Sequence, residues 1–130
     1  MNSRQNISSG GPYEDIVGYS RAVRVGPHVY VSGCTSMTPQ GMAGVGDAYE
    51  QAMQALRTIE AALKAGGAAL TDVVRTRIYL TDMADSDAVG RAHTEFFRAI
   101  KPAATMVAVS ALIHPEMRVE IEAEAYVTEI

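Results

Sequence analysis

The sequence predicts an α+β fold: a mixed β-sheet with two helices on one face, its elements in the order β-β-α-β-α-β-β. Three observations carry this. Two segments repeat apolar residues at spacings of three and four between capping signals. Several short β-branched runs lie around them, two with clear apolar/polar alternation. Both helices are long enough to serve as crossovers between parallel strands. The chain of 130 residues, 48% hydrophobic and 20% charged, has the size and usage of one globular domain that buries about two-thirds of its unfolded surface.

Residues 1–12 are polar and rich in Gly and Ser, which predicts a flexible N-terminal arm ahead of a single domain over 13–130. Ser20 to Val25 and His28 to Ser32 flank Gly26-Pro27 and read as a hairpin ending at Gly33. Residues 34–46 read as a loop or ragged strand. Asp47, with Glu50 three residues on, resembles a capping box and opens the first helix. Ala48, Ala52, Leu56, Ile59 and Leu63 form its apolar stripe, and Gly66-Gly67 ends it. Val73 to Leu80 is the next strand. Asp85 or Ser86 caps the second helix, with stripe Val89, Ala92, Phe96 and Ile100, stopped by Lys101-Pro102. Thr105 to Ala111 and Met117 to Val127 complete the sheet.

The last strand alternates most cleanly. Val119, Ile121, Ala123, Ala125 and Val127 share one face; Arg118, Glu120, Glu122, Glu124 and Tyr126 share the other. Strand 73–80 divides likewise, with Val74, Thr76, Ile78 and Leu80 against Val73, Arg75, Arg77 and Tyr79. Acids on one strand and arginines on another suit cross-strand pairs. That polar face is either solvated or a subunit interface.

Composition narrows the function. The formal net charge of −4 and 11 scattered Lys/Arg argue against nucleic acid, which needs a cationic surface. Six tyrosines, two phenylalanines and no tryptophan leave few stacking platforms. No apolar run is long enough for a membrane span, and no signal-peptide pattern opens the chain. One cysteine, Cys34, permits no internal disulfide and fits a cytoplasmic location. His28, His93 and His114 are isolated, so no metal site is expected. No motif for a nucleotide or other cofactor is present. Cys34 is either a small buried residue or a thiol at the end of a strand near a ligand.

The segments SRAVRVGPHVYVSG (20–33), VVRTRIYLTDMAD (73–85), Phe96-Phe97, KPAATMVAV (101–109) and VEIEAEA (119–125) together resemble the Rid family, the reactive intermediate deaminases also called YjgF or liver perchloric-acid-soluble proteins. The resemblance runs from about Tyr19 to Val127. It implies a chorismate-mutase-like fold and a homotrimer whose sheets form a central barrel. It also implies a site between subunits that deaminates 2-iminoacids and 2-enamines without a cofactor. In that family an arginine in a Pro-Ala-Arg-Ser-type motif forks onto the substrate carboxylate. A tyrosine, a backbone group after the hairpin, an asparagine on the second helix and a glutamate that positions water complete the site.

Tyr19, Gly33 and Glu120 match the tyrosine, the hairpin glycine and the glutamate. Pro102-Ala103-Ala104-Thr105 occupies the arginine motif, with Ala104 at the arginine position. Gly90 stands at the asparagine position, and Met106 replaces a small residue or cysteine. The chain resembles a divergent branch that opens with Gly-Tyr-Ser-Arg-Ala-Val. Two cations offer themselves as substitutes: Arg21, two residues from Tyr19 and on the same strand face, and Arg91, beside Gly90. The expected site is therefore Glu120 as the catalytic group, with Tyr19, Arg21, Gly33, Cys34, Gly90, Ala104, Thr105 and Met106 around the substrate. The expected activity is hydrolysis of an imine, enamine or related C–N compound less acidic than a 2-iminoacid. The alternative is a non-catalytic trimer that binds a metabolite or regulates a partner. Some relatives carry endoribonuclease names, against which the acidic balance of this chain argues.

Overall fold

The computed structural model describes residues 3–128. Its main sheet contains β1 (Arg4–Ile7), β2 (Ala22–Val25), β3 (His28–Cys34), β6 (Val73–Leu80), β7 (Ala103–Ala108) and β8 (Val119–Tyr126). A separate two-stranded ribbon joins β4 (Met37–Thr38) to β5 (Gly41–Met42). The helices are α1 (Ala48–Ala65) and α2 (Ser86–Phe97). The strand order is β1-β2-β3-β8-β6-β7; β6 and β7 run parallel and every other neighbouring pair runs antiparallel. The sheet is thus mixed, as expected, with β8 inserted between β3 and β6.

Both helices cover one face. α1 forms because Asp47 accepts a hydrogen bond from the Glu50 amide at 3.1 Å, and because its entire stripe is buried: Ala48, Ala52, Leu56, Ile59 and Leu63. Each large member contributes about 1.5–3 kcal/mol by leaving water. At its other end Gly67 takes φ +78°, and Arg24 Nη1 reaches across from β2 to the Gly66 carbonyl at 2.8 Å. A cation over the open carbonyls suits the helix dipole. α2 buries Val89, Ala92 and Phe97, and its His93 meets the buried Thr76 of β6 at 2.9 Å. The inward residues of β8, Val119, Ile121, Ala123 and Ala125, all join the core beneath the helices.

Five details differ from the sequence reading. Residues 4–7 are not part of a flexible arm: they pair with β2, and Ile7 is buried against Gly66, where an added Cβ would stand 2.9 Å from Ile7 Cδ1. On β6 a register shift between Val73 and Arg75 turns Val73 inward and Val74 outward, as a β-bulge does. Asp85 makes no cap bond to α2; its carboxylate instead takes the Arg118 guanidinium at 3.0 and 3.2 Å. α2 ends at Phe97, which is fully buried where Phe96 is only half-buried. β7 spans Ala103–Ala108 rather than 105–111 because Lys101, in the left-handed region at φ 54°, turns the chain directly into it. The expected ragged segment 34–46 contains the small ribbon, tied down by buried Gln51, which donates to the Gly44 and Glu116 carbonyls and accepts from the Arg118 amide.

Candidate functional site

The face opposite the helices is open and carries the alternate residues of β8. Arg77 Nη1 lies 2.7 Å from Glu124 and 3.2 Å from Glu122, and the Tyr79 hydroxyl donates to Glu122 at 2.7 Å. The cross-strand pairing expected from the sequence is present. Such half-exposed pairs contribute little to stability, but they fix the acids of β8 in place. Glu120 is set apart, with neither an ion pair nor a hydrogen bond among the described residues.

Glu120 is half-buried against the irregular end of β3. The β3–β8 register shifts between Val31 and Cys34, and Gly33 lies within this irregularity. A Cβ on Gly33 would stand 2.0 Å from Glu120 Oε2; the absent side chain is the space the carboxylate occupies. Across the same bulge Arg21 Nη1 donates to the Gly33 carbonyl at 2.8 Å and to Cys34 Sγ at 3.4 Å. Its Nη2 donates to the Tyr19 hydroxyl at 3.3 Å, and its guanidinium lies 5.5 Å from the Tyr19 ring centre. Among the described residues, Arg21 Nε is buried without a partner.

The electrostatics follow from burial. Desolvation raises the Glu120 carboxyl above the ordinary range, the Arg21 charge pulls it back, and Glu122 adds to the rise. A carboxylate held in this way is a better proton acceptor than a solvated one. Burial likewise pushes the Cys34 thiol up to about 11 against the pull of Arg21. Cys34 is only 2% exposed and donates to the Ser32 carbonyl at 3.2 Å. It is a buried residue in contact with Arg21 rather than an accessible thiol.

Tyr19, Arg21, Gly33, Cys34 and Glu120 therefore converge in one chain. The other expected residues do not join them there. Gly90 and Arg91 belong to α2, on the covered side of the sheet; Arg91 stacks over Tyr49 at 5.0 Å, and nothing lies within 4 Å of a Cβ built on Gly90. Ala104, Thr105 and Met106 lie on the edge strand β7, separated from β8 by β6 and from β2 by three strands. Ala104 and Thr105 are exposed and Met106 is half-buried. The sequence reading missed Arg4 and Asn6, which reach the open face on β1, and Ser32, whose hydroxyl donates to the Ser20 carbonyl at 2.7 Å. A strand signal at 4–7 was hidden by three polar residues out of four.

Among the described residues, no three His, Cys, Asp or Glu side chains are grouped to hold a metal ion, and no helix is long and apolar enough to cross a membrane.

The chain is a small α+β protein, a helix-backed mixed sheet whose open face seats the unpartnered carboxylate of Glu120 against a glycine bulge. The family model described as Endoribonuclease L-PSP matches residues 12–127, and the chain belongs to that family, the Rid/YjgF proteins. It is 37% identical to the human 2-iminobutanoate/2-iminopropanoate deaminase over 123 residues, 94% of this chain and 89% of that protein. A RutC family protein of Pyrococcus abyssi is 37% identical over 109 residues, 83% and 85% of the two chains. Among solved structures, a Mycobacterium tuberculosis member of the YjgF/YER057c/UK114 family superposes with a TM-score of 0.88 at 50% identity, covering 96% of this chain and all of that one.

Proposed function

We propose that the protein is a small-molecule hydrolase acting on an imine, enamine or related C–N bond, with Glu120 orienting the attacking water. The observation that carries this reading is the seating of Glu120: a carboxylate without a partner, half-buried in the space left by Gly33 and beside the Arg21–Tyr19 pair. In that role Glu120 holds the water, takes its proton as oxygen adds to the C=N carbon and passes that proton to the nitrogen; moving the carbinolamine hydroxyl proton to the same nitrogen breaks the C–N bond, and ammonia and a carbonyl compound leave. The kinship with iminobutanoate deaminases supports the reaction class. Ala104 argues against the usual 2-iminoacids, because a methyl group cannot fork onto a carboxylate.

The cleft is completed between subunits of a homotrimer in the cytoplasm. Two features support self-association. Tyr30, Val74 and Tyr126 stand exposed on the open face. The unpaired edge strand β7, Ala103–Ala108, carries no charge to discourage pairing. Light scattering is expected to give about three times the chain mass; a monomer would sink the intersubunit site.

The direct test is ammonia release from freshly generated 2-aminoacrylate and 2-iminobutyrate, with Glu120→Gln and Ala104→Arg in parallel. Activity lost in Glu120→Gln supports the mechanism and shows that another cation serves as clamp. Activity gained only in Ala104→Arg shows that the machinery is intact and the substrate different. Silence from all three supports the second reading, a non-catalytic metabolite-binding or regulatory trimer, which the polar groups missing at Gly90 and Ala104 favour.

A further inference from the structure

On the open face, β1, β2 and the turn at Glu14–Gly18 border an open groove of about 500 Å³. Its walls include Arg4, Asn6, Asp15, Tyr19, Ser20 and Ser32. Tyr19, at one end of the groove, accepts a hydrogen bond from Arg21, a member of the Glu120 cluster. Its polar groups fix one another: Arg4 Nε donates to Asn6 Oδ1 at 3.0 Å, and Asn6 Nδ2 to Ser20 Oγ at 2.9 Å.

The two arginines of this region are not equivalent. Arg21 has spent Nη1 on the Gly33 carbonyl and Cys34, and Nη2 on Tyr19. Arg4 commits only Nε; among the described residues both of its Nη groups make no hydrogen bond or ion pair. A guanidinium held at one nitrogen with its terminal donors open is a planar receptor for a carboxylate. Two acids also line the groove. Glu14 is satisfied internally by Ser9 and the Gly11 amide, whereas Asp15 is exposed and weakens anion binding.

We propose that Arg4 is the oxyanion-binding group of this cleft, and that its ligand is an elongated carboxylate whose acid group lies several bonds from the C–N bond. The second half rests on the proposed hydrolase reading; the first half does not. β1 and β8 are three strand spacings apart, about 14 Å. A 2-iminoacid, with its carboxylate on the carbon next to C=N, is too short to touch both Arg4 and Glu120.

The test uses the full chain and two stable keto acids, the products left when the corresponding imines lose ammonia. NMR titration is expected to show 5-oxohexanoate, whose single carboxylate is distal to the carbonyl, binding about tenfold more tightly than 2-oxobutyrate. Arg4→Gln removes the preference, and Asp15→Asn strengthens it several-fold. Equal binding of the two acids, no binding of either, or a preference unchanged in Arg4→Gln overturns the proposal. If no imine is hydrolysed but the Arg4-dependent preference persists, the hydrolase reading falls and the Arg4 site stands.

Discussion

Replacing Gly33 with alanine separates the function of this bulge from its stability. The new Cβ would stand 2.0 Å from Glu120 Oε2, 2.8 Å from Cδ and 3.0 Å from Cγ, whereas ordinary contact begins at 3.4 Å. The carboxylate oxygen must therefore retreat by about 1.4 Å, the difference between 3.4 and 2.0 Å. Gly33 does not have a positive φ, so alanine fits the backbone, and its stiffer unfolded chain adds about 0.5–1 kcal/mol of stability. Misplacing a reacting group by an ångström costs on the order of 10²-fold in rate, about 2.7 kcal/mol of barrier. Moved toward water, Glu120 should also lose the upward push of burial and titrate nearer an ordinary carboxylate. Carbon-detected NMR of the glutamates reads that change whether or not a substrate is in hand, and thermal melts read the stability. In a Glu120→Ala background the alanine at position 33 has nothing to strike and should be neutral or mildly stabilising. Unchanged titration of Glu120 in Gly33→Ala, or a loss of stability as large with Glu120→Ala as without it, would refute the steric reasoning.

Glu120→Gln should raise the melting temperature at pH 7 while abolishing turnover. A carboxyl whose folded pKa is raised favours folding only at low pH, and this contribution is lost as pH rises through that pKa. A lower melting temperature would contradict this. His93 has the opposite linkage: burial lowers its pKa from 6.5, so its contribution is complete above about pH 6.5 and is lost as pH falls through the folded pKa. Urea midpoints at pH 7.5 and 5.5 should converge in His93→Gln relative to the parent. Gln51→Leu leaves the Gly44 and Glu116 carbonyls and the Arg118 amide unpaired; at about 1–3 kcal/mol per buried group, a loss of roughly 3 kcal/mol or more should appear in chemical denaturation. Cys34 should resist iodoacetamide in the native state, because its thiol is buried and pushed up to about 11, and should react at the rate of unfolding.

What the sequence disclosed tracks how strongly burial marks each element. β8 and α1 were legible because each sets one apolar face against one polar face, and period 2 or 3.6 then points to the core. Tyr19, Arg21 and Glu120 were legible as site candidates through strand periodicity and family resemblance, and the structure brings them together. β1 was not, since only Ile7 of its four residues is anchored. The exchange of Val73 and Val74 was hidden because both are β-branched and either can face inward; only the bulge decides. Cys34 could be read two ways from its position after Gly33, and packing chose burial. The placement of Ala104, Thr105 and Met106 away from the cluster is a matter of sheet order, and that of Gly90 a matter of which face the helices cover; local patterns encode neither.

That sheet order has a consequence for how the chain is made. β8 is the last strand along the chain and the middle one in space, bonded to β3 on one side and β6 on the other. During synthesis β1, β2, β3 and α1 emerge with the β3 edge exposed, and β6 and β7 follow with nothing to join them to it. Closure must await residues 119–126, and pairings this distant in sequence slow folding because the intervening loop is closed before it is rewarded. A ribosome stalled before Val119 should therefore hold a protease-sensitive nascent chain, and the same late strand that locks the sheet delivers Glu120 to the Gly33 bulge.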